Sequence, residues 1–388
     1  MSRSLPGRPD NNFTRNPLND NFMEKKERKL IIDICRIALG AVFVFSGLMK
    51  CIDTWGTAQK VGDYLTAFGF DWLLSMKAVL AVILSAFELT MGLMLVFKVR
   101  PKLMSLVAFI FMIGFTLLTL WIAIWNPLDD CGCFGEALRI SNWNSFFKNV
   151  VLLALSVIVW LFNRDGRFFA FTRKDILLTA LFLAVSVITG TLVYRHLPPV
   201  DMFPYKVGVN LREDVVCTAC MDDGTVLIYK DLETGRNREF ALSDTTWYDS
   251  SRWEYVETRN AADQLTPEML EGDFALYWGD INMADEVIGY KGNTVLIVLR
   301  NRGAAGEKCI EKIETYLAGQ QDARKIVITE KKSGFSSGES VFIGGEEVPV
   351  LSMEPKPLGY LLRADAGVVT VKDGIITGKK NCRDISRR

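Results

Sequence analysis

Long apolar segments dominate the first half of the chain, whereas charged and turn-forming residues dominate the second half. Five of the apolar segments are long enough to cross a hydrocarbon layer of ~30 Å as a helix, which takes about 20 residues. Only helices satisfy their own backbone hydrogen bonds in lipid, so the pattern predicts five membrane-spanning helices. The predicted spans are residues 31–50, 74–97, 103–125, 146–162 and 176–194.

Basic residues are distributed unevenly between the two ends of these spans. They precede the first span and fill the loops after the second and fourth: Lys25, Lys26, Arg28, Lys29, Lys98, Arg100, Lys102, Arg164, Arg167, Arg173 and Lys174. Cytoplasmic loops carry such an excess, so the bias predicts an inner-membrane protein with a cytoplasmic N-terminus. The polar residues 1–29 are predicted to form a disordered cytoplasmic tail, and the first helix an uncleaved signal anchor. Five spans then place the C-terminal half and the loop after the third span outside the cytoplasm.

The second half begins where two prolines, Pro198 and Pro199, end the fifth span. Residues 197–264 have the composition of a small β-rich module, with a predicted hairpin formed by residues 225–229 and 238–242. Residues 265–388 then alternate strand, helix and strand. The apolar run 293–300 is typical of a strand buried in a parallel sheet. We therefore expect five parts: residues 1–29, 30–164, 165–196, 197–264 and 265–388.

Charge and histidine content exclude several classes of protein. The chain has 45 basic and 45 acidic residues, without the basic patch of a nucleic-acid-binding protein. Its single histidine, His196, lies where the fifth span ends. A Ser–His or Cys–His triad in the exported part is therefore not expected, and a histidine-rich metal centre is excluded.

The cysteines concentrate on the side of the membrane predicted to be oxidising, where disulfides persist. Cys131 and Cys133 lie in the short loop after the third span, and three roles are open for them. A bridge between them would close a small, labile ring suited to thiol exchange. One of them would instead bridge to Cys51 at the same membrane face, or both would bind a metal together with Cys217 and Cys220.

Two acidic residues bear on this loop and on the helices beneath it. Asp130 precedes Cys131, and its charge is expected to raise the pKa of a neighbouring thiol. Glu88 lies near the middle of the second span, where a charge costs at least ~2.5 kcal/mol. We expect Glu88 to pair with Arg36, to hydrogen-bond to a neighbouring helix, or to serve as a proton or quinone-headgroup site. Lys50 is expected to reach the membrane surface by snorkelling.

These residues form a pattern that resembles the DoxX-like family, and the Cys-Gly-Cys-Phe-Gly loop at 131–135 resembles its MauE-type branch. The pattern in the first two spans consists of Arg36, Gly40, Ser46, Gly47, Lys50, Glu88 and Gly92. The resemblance covers about residues 29–164. It implies a four-helix membrane bundle, to which this chain adds a fifth span, and an association with methylamine utilisation and disulfide handling. Gly40 and Gly47 are interpreted as positions of close helix packing.

Residues 265–381 resemble the thioredoxin-like fold, carried by the buried run 293–300 and the final predicted hairpin around Asp373. The sequence departs from active thioredoxins at two points. No Cys-x-x-Cys follows the run, and Ala364-Asp365-Ala366 replaces the expected proline. A binding module without exchange activity is therefore implied. For Cys309 and Cys382, a structural bridge, free thiols and a role in exchange are all open.

The Cys-x-x-Cys pair at Cys217 and Cys220 precedes a turn rather than a helix, so we interpret it as a local or incidental pair. The whole sequence predicts a multi-pass α-helical membrane bundle followed by an α/β thioredoxin-like exported domain. The leading hypothesis is a redox protein of disulfide maturation, with an exported protein client and quinone as a candidate acceptor. Its predicted exchange pair and supporting residues are Cys131, Cys133, Glu88, Arg36, Lys50, Cys51 and Asp130.

Two alternatives to that hypothesis stay open. A non-enzymatic scaffold or chaperone would use the second half of the chain to bind an exported partner, with the cysteines joining helices. A small-solute transporter would rest on Glu88 and Arg36 alone, and the sequence lacks the paired broken helices that transporters usually have.

Overall fold

Among the residues that it describes, the computed structural model of the chain contains six α-helices in the first half and two β-sheets in the second half. It divides into two compact units, Met1–Cys51 with Thr57–Gly190 and Ile52–Gly56 with Thr191–Arg388. The residues that the structure describes are 17–128, 130–133, 135, 140–162, 172–215, 226–241, 246–249, 251–259, 273–300, 305–331 and 338–386. Cys217 and Cys220 lie outside the described residues, so the interpretations of that pair stay predictions.

Five of the helices are long and apolar enough to cross a membrane, which confirms the predicted multi-pass membrane protein. A 3₁₀ turn at Asp71–Met76 precedes the helix that begins at Lys77, and the short helix Thr54–Ala67 is not one of the five. The helices are α1 Pro17–Ile52, α2 Thr54–Ala67, α3 Lys77–Val96, α4 Pro101–Trp125, α5 Asn142–Phe162 and α6 Arg173–Arg195.

Two features of the helices differ from the sequence prediction. Helix α1 begins at Pro17, so residues 17–29 are helical where a disordered tail was predicted. Lysine and glutamate are good helix formers and extend the apolar helix toward its N-terminus. Helix α2 was not predicted, because its sequence contains no apolar run.

Helices α1 and α3 pack at backbone contact. A Cβ atom on Gly47 would lie 2.5 Å from the amide nitrogen of Leu89, and one on Gly92 would lie 2.5 Å from that of Val44. A Cβ on Gly40 would lie 2.9 Å from a methyl group of Val96. The predicted close packing at Gly40 and Gly47 is confirmed. Because the helices touch here, polar side chains on either one reach the other.

The second unit contains a small antiparallel sheet with the strand order β2-β1-β3. Its strands are β1 Val226–Asp231, β2 Asn237–Ala241 and β3 Trp253–Arg259. The first two strands pair in antiparallel register around a turn at residues 232–236, so the predicted hairpin is present.

A larger sheet follows, with the strand order β11-β10-β6-β7-β9-β4-β5 and β8 paired to β9. Strands β6, β7 and β9 are parallel neighbours, and β10 runs antiparallel to β6. The strands are β4 Tyr277–Trp278, β5 Ile281–Asn282, β6 Asn293–Leu299, β7 Arg324–Glu330, β8 Ser340–Ile343, β9 Glu346–Met353, β10 Ala366–Lys372 and β11 Ile375–Asn381. The helices are α7 Ala284–Gly289, α8 Glu307–Ala318 and α9 Pro355–Leu361.

Strand β6 is an interior strand of this sheet, between β10 and β7, and is buried after its first residue. Leu296 and Val298 pack in one core cluster, whereas Val295 and Ile297 pack in another. Successive side chains of a strand point to opposite faces, so both faces of the sheet are covered. The prediction of a buried strand here is confirmed.

Two arginines are buried in the second unit beside the segment Ile52–Gly56. Arg363 lies 3.2 Å from the carboxylate of Asp53, and both side chains are almost fully buried. The guanidinium of Arg300 lies 4.2 Å from the ring centre of Trp55. The end of α1 and the first turn of α2 thus supply part of the second unit's interior.

Candidate functional site

A buried ion pair joins α1 to α3. The ammonium nitrogen of Lys50 lies 2.7 Å from Oε2 of Glu88, and the two side chains are only 5% and 2% exposed. The predicted snorkelling of Lys50 is therefore wrong. Of the alternatives for Glu88, pairing with Arg36 is wrong, because the contact of Gly47 with α3 brings Lys50 to Glu88 instead. The alternative of a hydrogen bond to a neighbouring helix is present, since Lys50 belongs to α1.

The lysine of this pair uses all three of its hydrogen-bond donors. Lys50 donates to Glu88, to the hydroxyl of Ser46 at 2.7 Å and to the backbone carbonyl of Cys133 at 2.9 Å. The Ser46 hydroxyl lies 2.8 Å from Glu88 Oε2 and 2.6 Å from the same carbonyl. With a single proton, it donates to one of these acceptors at a time. The network connects a buried carboxylate to the backbone of the cysteine loop.

Arg36 lies away from this network, at the C-terminal end of α3. It donates to the carbonyls of Leu95 and Val96 and pairs with Asp33 at 3.1 Å. A basic side chain at a helix C-terminus stabilises the last carbonyl groups. We therefore assign Arg36 to the packing of α1 against α3 and not to the site.

Helix α2 holds the cysteine loop, a role that the sequence did not indicate. Lys60 lies 3.3 Å from Asp130, and the hydroxyl of Tyr64 donates to the carbonyl of Cys131 at 2.9 Å. Asp130 also accepts from the amide of Gly132 at 2.8 Å. Gly132 has a φ of +62°, which glycine adopts without strain. The only signal in the sequence is the four-residue spacing of Lys60 and Tyr64, which places both on one helix face.

The loop thiols are free in this structure. Cys131 is buried and Cys133 is partly buried, and neither forms a disulfide. Cys51 is a buried thiol that forms no disulfide, and its sulfur lies 3.9 Å from the carbonyl of Ser186. The predicted alternative of a bridge from Cys51 to the loop is therefore not formed. Among the described residues no cluster of three metal-ligating side chains occurs.

The environment of the loop shifts the pKa values of the two thiols in opposite directions. The pKa of Cys131 is lowered to about 6, chiefly by a hydrogen bond from the Cys133 thiol, with help from Ser145 and the charge of Lys148. The pKa of Cys133 is raised, because its proton is held by Cys131 and its surroundings are buried. The predicted effect of Asp130 does not dominate at Cys131, since that carboxylate is paired with Lys60.

A small cavity lies beside the ion pair. Ser46, Lys50, Glu88 and Cys133 line it, together with the polar side chains of Lys148 and Asn149, and its volume is about 30 Å³. That space admits water, whereas pockets for organic ligands are usually about 300 Å³ or larger. A cavity of this size is too small for a quinone ring, so it gives no support to the quinone hypothesis.

A second pair of cysteines is bridged. Cys309 and Cys382 form a disulfide with their Cα atoms 5.5 Å apart and a separation of 73 positions in sequence. Of the alternatives open from the sequence, free thiols are excluded. Cys309 lies in the first turn of α8, and Cys382 directly follows β11.

The helices and the cysteine loop together define a multi-pass membrane protein with a buried ion pair beneath two thiols. Residues 28–162 match the family described as methylamine utilisation protein MauE. This range nearly coincides with the resemblance seen in the sequence, so that part of the prediction is confirmed. No curated protein and no solved structure matches the chain. The DoxX-like and thioredoxin-like resemblances stay predictions.

Proposed function

We propose that the chain is a membrane-bound thiol–disulfide exchange protein in which Cys131 is the nucleophile and Cys133 the resolving thiol. The observation that carries this proposal is the pair of adjacent free thiols whose pKa values are shifted apart. A thiolate is the attacking species in exchange, and a thiol with a pKa near ambient pH attacks efficiently. Cys131 meets this condition.

The exchange reaction follows from these two thiols. The Cys131 thiolate attacks one sulfur of a client disulfide, and the client's other sulfur leaves as a thiolate that takes up a proton. Cys133 then loses its proton and attacks Cys131, which releases the second client thiol. The client gains two electrons and two protons, and Cys131 and Cys133 become a disulfide. Run in reverse, the same steps oxidise a client dithiol.

The ion pair beneath the loop has a positioning role in this scheme. Lys50 holds the backbone of Cys133 through its carbonyl, so the resolving thiol stays next to Cys131. Glu88 and Cys133 line the same water-sized cavity, which offers the Cys133 proton a nearby carboxylate. Lys50 and Glu88 touch no client atom and act through Cys133.

The cellular setting is part of the proposal. The excess of lysine and arginine in alternate loops supports an inner-membrane protein with a cytoplasmic N-terminus. The Cys131 loop and the C-terminal half then face an exported client. The similarity of residues 28–162 to MauE makes maturation of a protein of methylamine utilisation a candidate context.

The test is the thiol state of the loop in native membranes, read by acid quench, alkylation and mass shift. We expect the Cys131–Cys133 pair to become oxidised with diamide and reduced with dithiothreitol. Cys133→Ala should accumulate a mixed disulfide at Cys131, and Cys51→Ser should behave as wild type because Cys51 is buried and unbridged. Thiols that stay reduced under every condition would overturn the proposal.

A scaffold without exchange activity is the second candidate, and two observations favour it. Glu88 is paired with Lys50, and the cavity beside it has room only for a water molecule. The order of β11, β10, β6 and β7 with the helix between β6 and β7 supports a thioredoxin-like partner-binding module. Under this proposal the variant Cys131→Ala with Cys133→Ala retains its exported partner in pull-downs at the wild-type level, whereas an exchange protein loses the covalent fraction.

A further inference from the structure

A cavity of about 330 Å³ opens in the second unit, and the Cys309–Cys382 bridge forms part of its wall. Pockets of this size take organic groups or one or two side chains of a polypeptide. Both cysteines are only partly buried, so the disulfide is not sealed in the core. Trp55 and Tyr194 supply the aromatic part of the wall.

The position of Cys309 favours its thiolate. Helix α8 begins at Glu307, so Cys309 lies in its first turn, where the positive end of the helix dipole stabilises a negative charge. Lys308 and Lys312 line the same cavity and add positive charge near the sulfur. Thiols at helix N-termini and beside lysine have lowered pKa values. Cys309 is therefore the better leaving group, and Cys382 is the sulfur that a thiolate would attack.

The charge of the cavity limits what approaches the bridge. Lys308, Lys312 and Arg383 line it, whereas Asp365, the only carboxylate among its described lining residues, accepts a hydrogen bond from the Trp55 indole at 3.3 Å. A segment with acidic residues beside its cysteine would be attracted, and a basic segment would be repelled. The aromatic wall would take an apolar side chain of the same segment.

We propose that the Cys309–Cys382 disulfide is a second exchange centre, which oxidises a dithiol in an acidic, cysteine-containing segment of an exported polypeptide. A client thiolate attacks Cys382 and forms a mixed disulfide, while Cys309 leaves as a thiolate. The second client thiolate attacks the client sulfur of that mixed disulfide and releases Cys382. The client becomes a disulfide, and Cys309 and Cys382 accept its two electrons and two protons. This centre goes beyond the function proposed for Cys131 and does not depend on it.

The test uses the full-length oxidised chain in detergent micelles with Cys131→Ala and Cys133→Ala, so that the loop thiols cannot contribute. The probes are two synthetic dithiol peptides that differ only in having glutamates or lysines beside the cysteines. Reduction of the bridge is followed by alkylation and mass spectrometry of the segments that contain Cys309 and Cys382. We expect the rate constant for reduction of the bridge to be about tenfold larger with the glutamate peptide than with the lysine peptide.

Two variants test whether Lys308 causes the preference for the acidic peptide. Lys308→Glu should remove the preference for the acidic peptide, whereas Lys372→Glu, an exposed substitution at the far end of β10, should keep it. Equal rates for the two peptides in the parent chain would overturn the assignment of the partner. A bridge that is reduced only after the chain has been unfolded would overturn the exchange centre itself, whatever the loop cysteines do.

Discussion

Replacing Lys50 with methionine tests the central geometric finding, the buried ion pair between α1 and α3. Methionine has nearly the same length and keeps the packing, but it leaves the Glu88 carboxylate with only the Ser46 hydroxyl. Removing one partner of a buried ion pair costs about 3–5 kcal/mol, because the remaining charge stays buried without compensation. The carbonyl of Cys133 also loses a donor, which adds to the cost in the same direction.

The magnitude should be measured as the free energy of unfolding in mixed micelles of dodecylmaltoside and sodium dodecyl sulfate. Far-UV circular dichroism reports chiefly on the long helices of the first unit. The matched control is Lys77→Met, because the Lys77 ammonium is partly buried and donates to the neutral Gln59 side chain at 2.8 Å. That variant should lose about 1 kcal/mol, the value of one ordinary hydrogen bond.

A double-mutant cycle separates the pair from general damage to the helices. With Lys50→Met already present, Glu88→Leu removes the unpaired carboxylate and should restore part of the lost stability, so the double variant costs less than the two single variants summed. Additive losses would refute the ion pair. So would a loss for Lys50→Met no larger than that of Lys77→Met.

Two further predictions concern the thiols and the helix contact. Alkylation of Cys131 should rise with pH and reach half its maximal rate near pH 6, because the thiolate forms as pH passes the lowered pKa. In Cys133→Ala the midpoint should move up toward about 8.5, and an unchanged midpoint would contradict the hydrogen bond between the thiols. Gly47→Ala should lose about 1–3 kcal/mol in the micelle assay, since its Cβ would strike the backbone of Leu89. Gly114→Ala, where nothing lies within 4 Å, should lose less than about 0.5 kcal/mol, and equal losses would argue against close packing.

Hydropathy was sufficient to predict the membrane spans, because a helix needs about 20 apolar residues to cross the bilayer and segments of that length are recognisable in the sequence. It did not predict which charges meet. Arg36 and Lys50 lie on the same helix about 21 Å apart along its axis, at 1.5 Å per residue. Which of them faces Glu88 depends on the register of α1 against α3, and the glycine contacts set that register. Hydropathy alone carries no such information.

The second half was predicted less completely, because many of its contacts join residues that lie far apart in the sequence. Strand β6 was recognisable because a strand covered on both faces is apolar throughout. The partner of Cys309 was not, because Cys382 is 73 residues away and reaches it only through the order of β6, β10 and β11. Helix α2 was missed for a related reason, since its contacts with the cysteine loop are tertiary and leave no apolar pattern.

The second unit is discontinuous in sequence, and this limits how it can be produced for study. A fragment that begins at residue 191 would lack Ile52–Gly56, so Arg363 would lose Asp53 and Arg300 would lose the indole face of Trp55. A buried charge deprived of its partner destabilises a domain by about 3–5 kcal/mol, comparable to much of a small domain's total stability. Soluble expression of the C-terminal half should therefore improve when residues 52–56 are returned by fusion through a flexible linker, or when Arg363 is replaced by methionine.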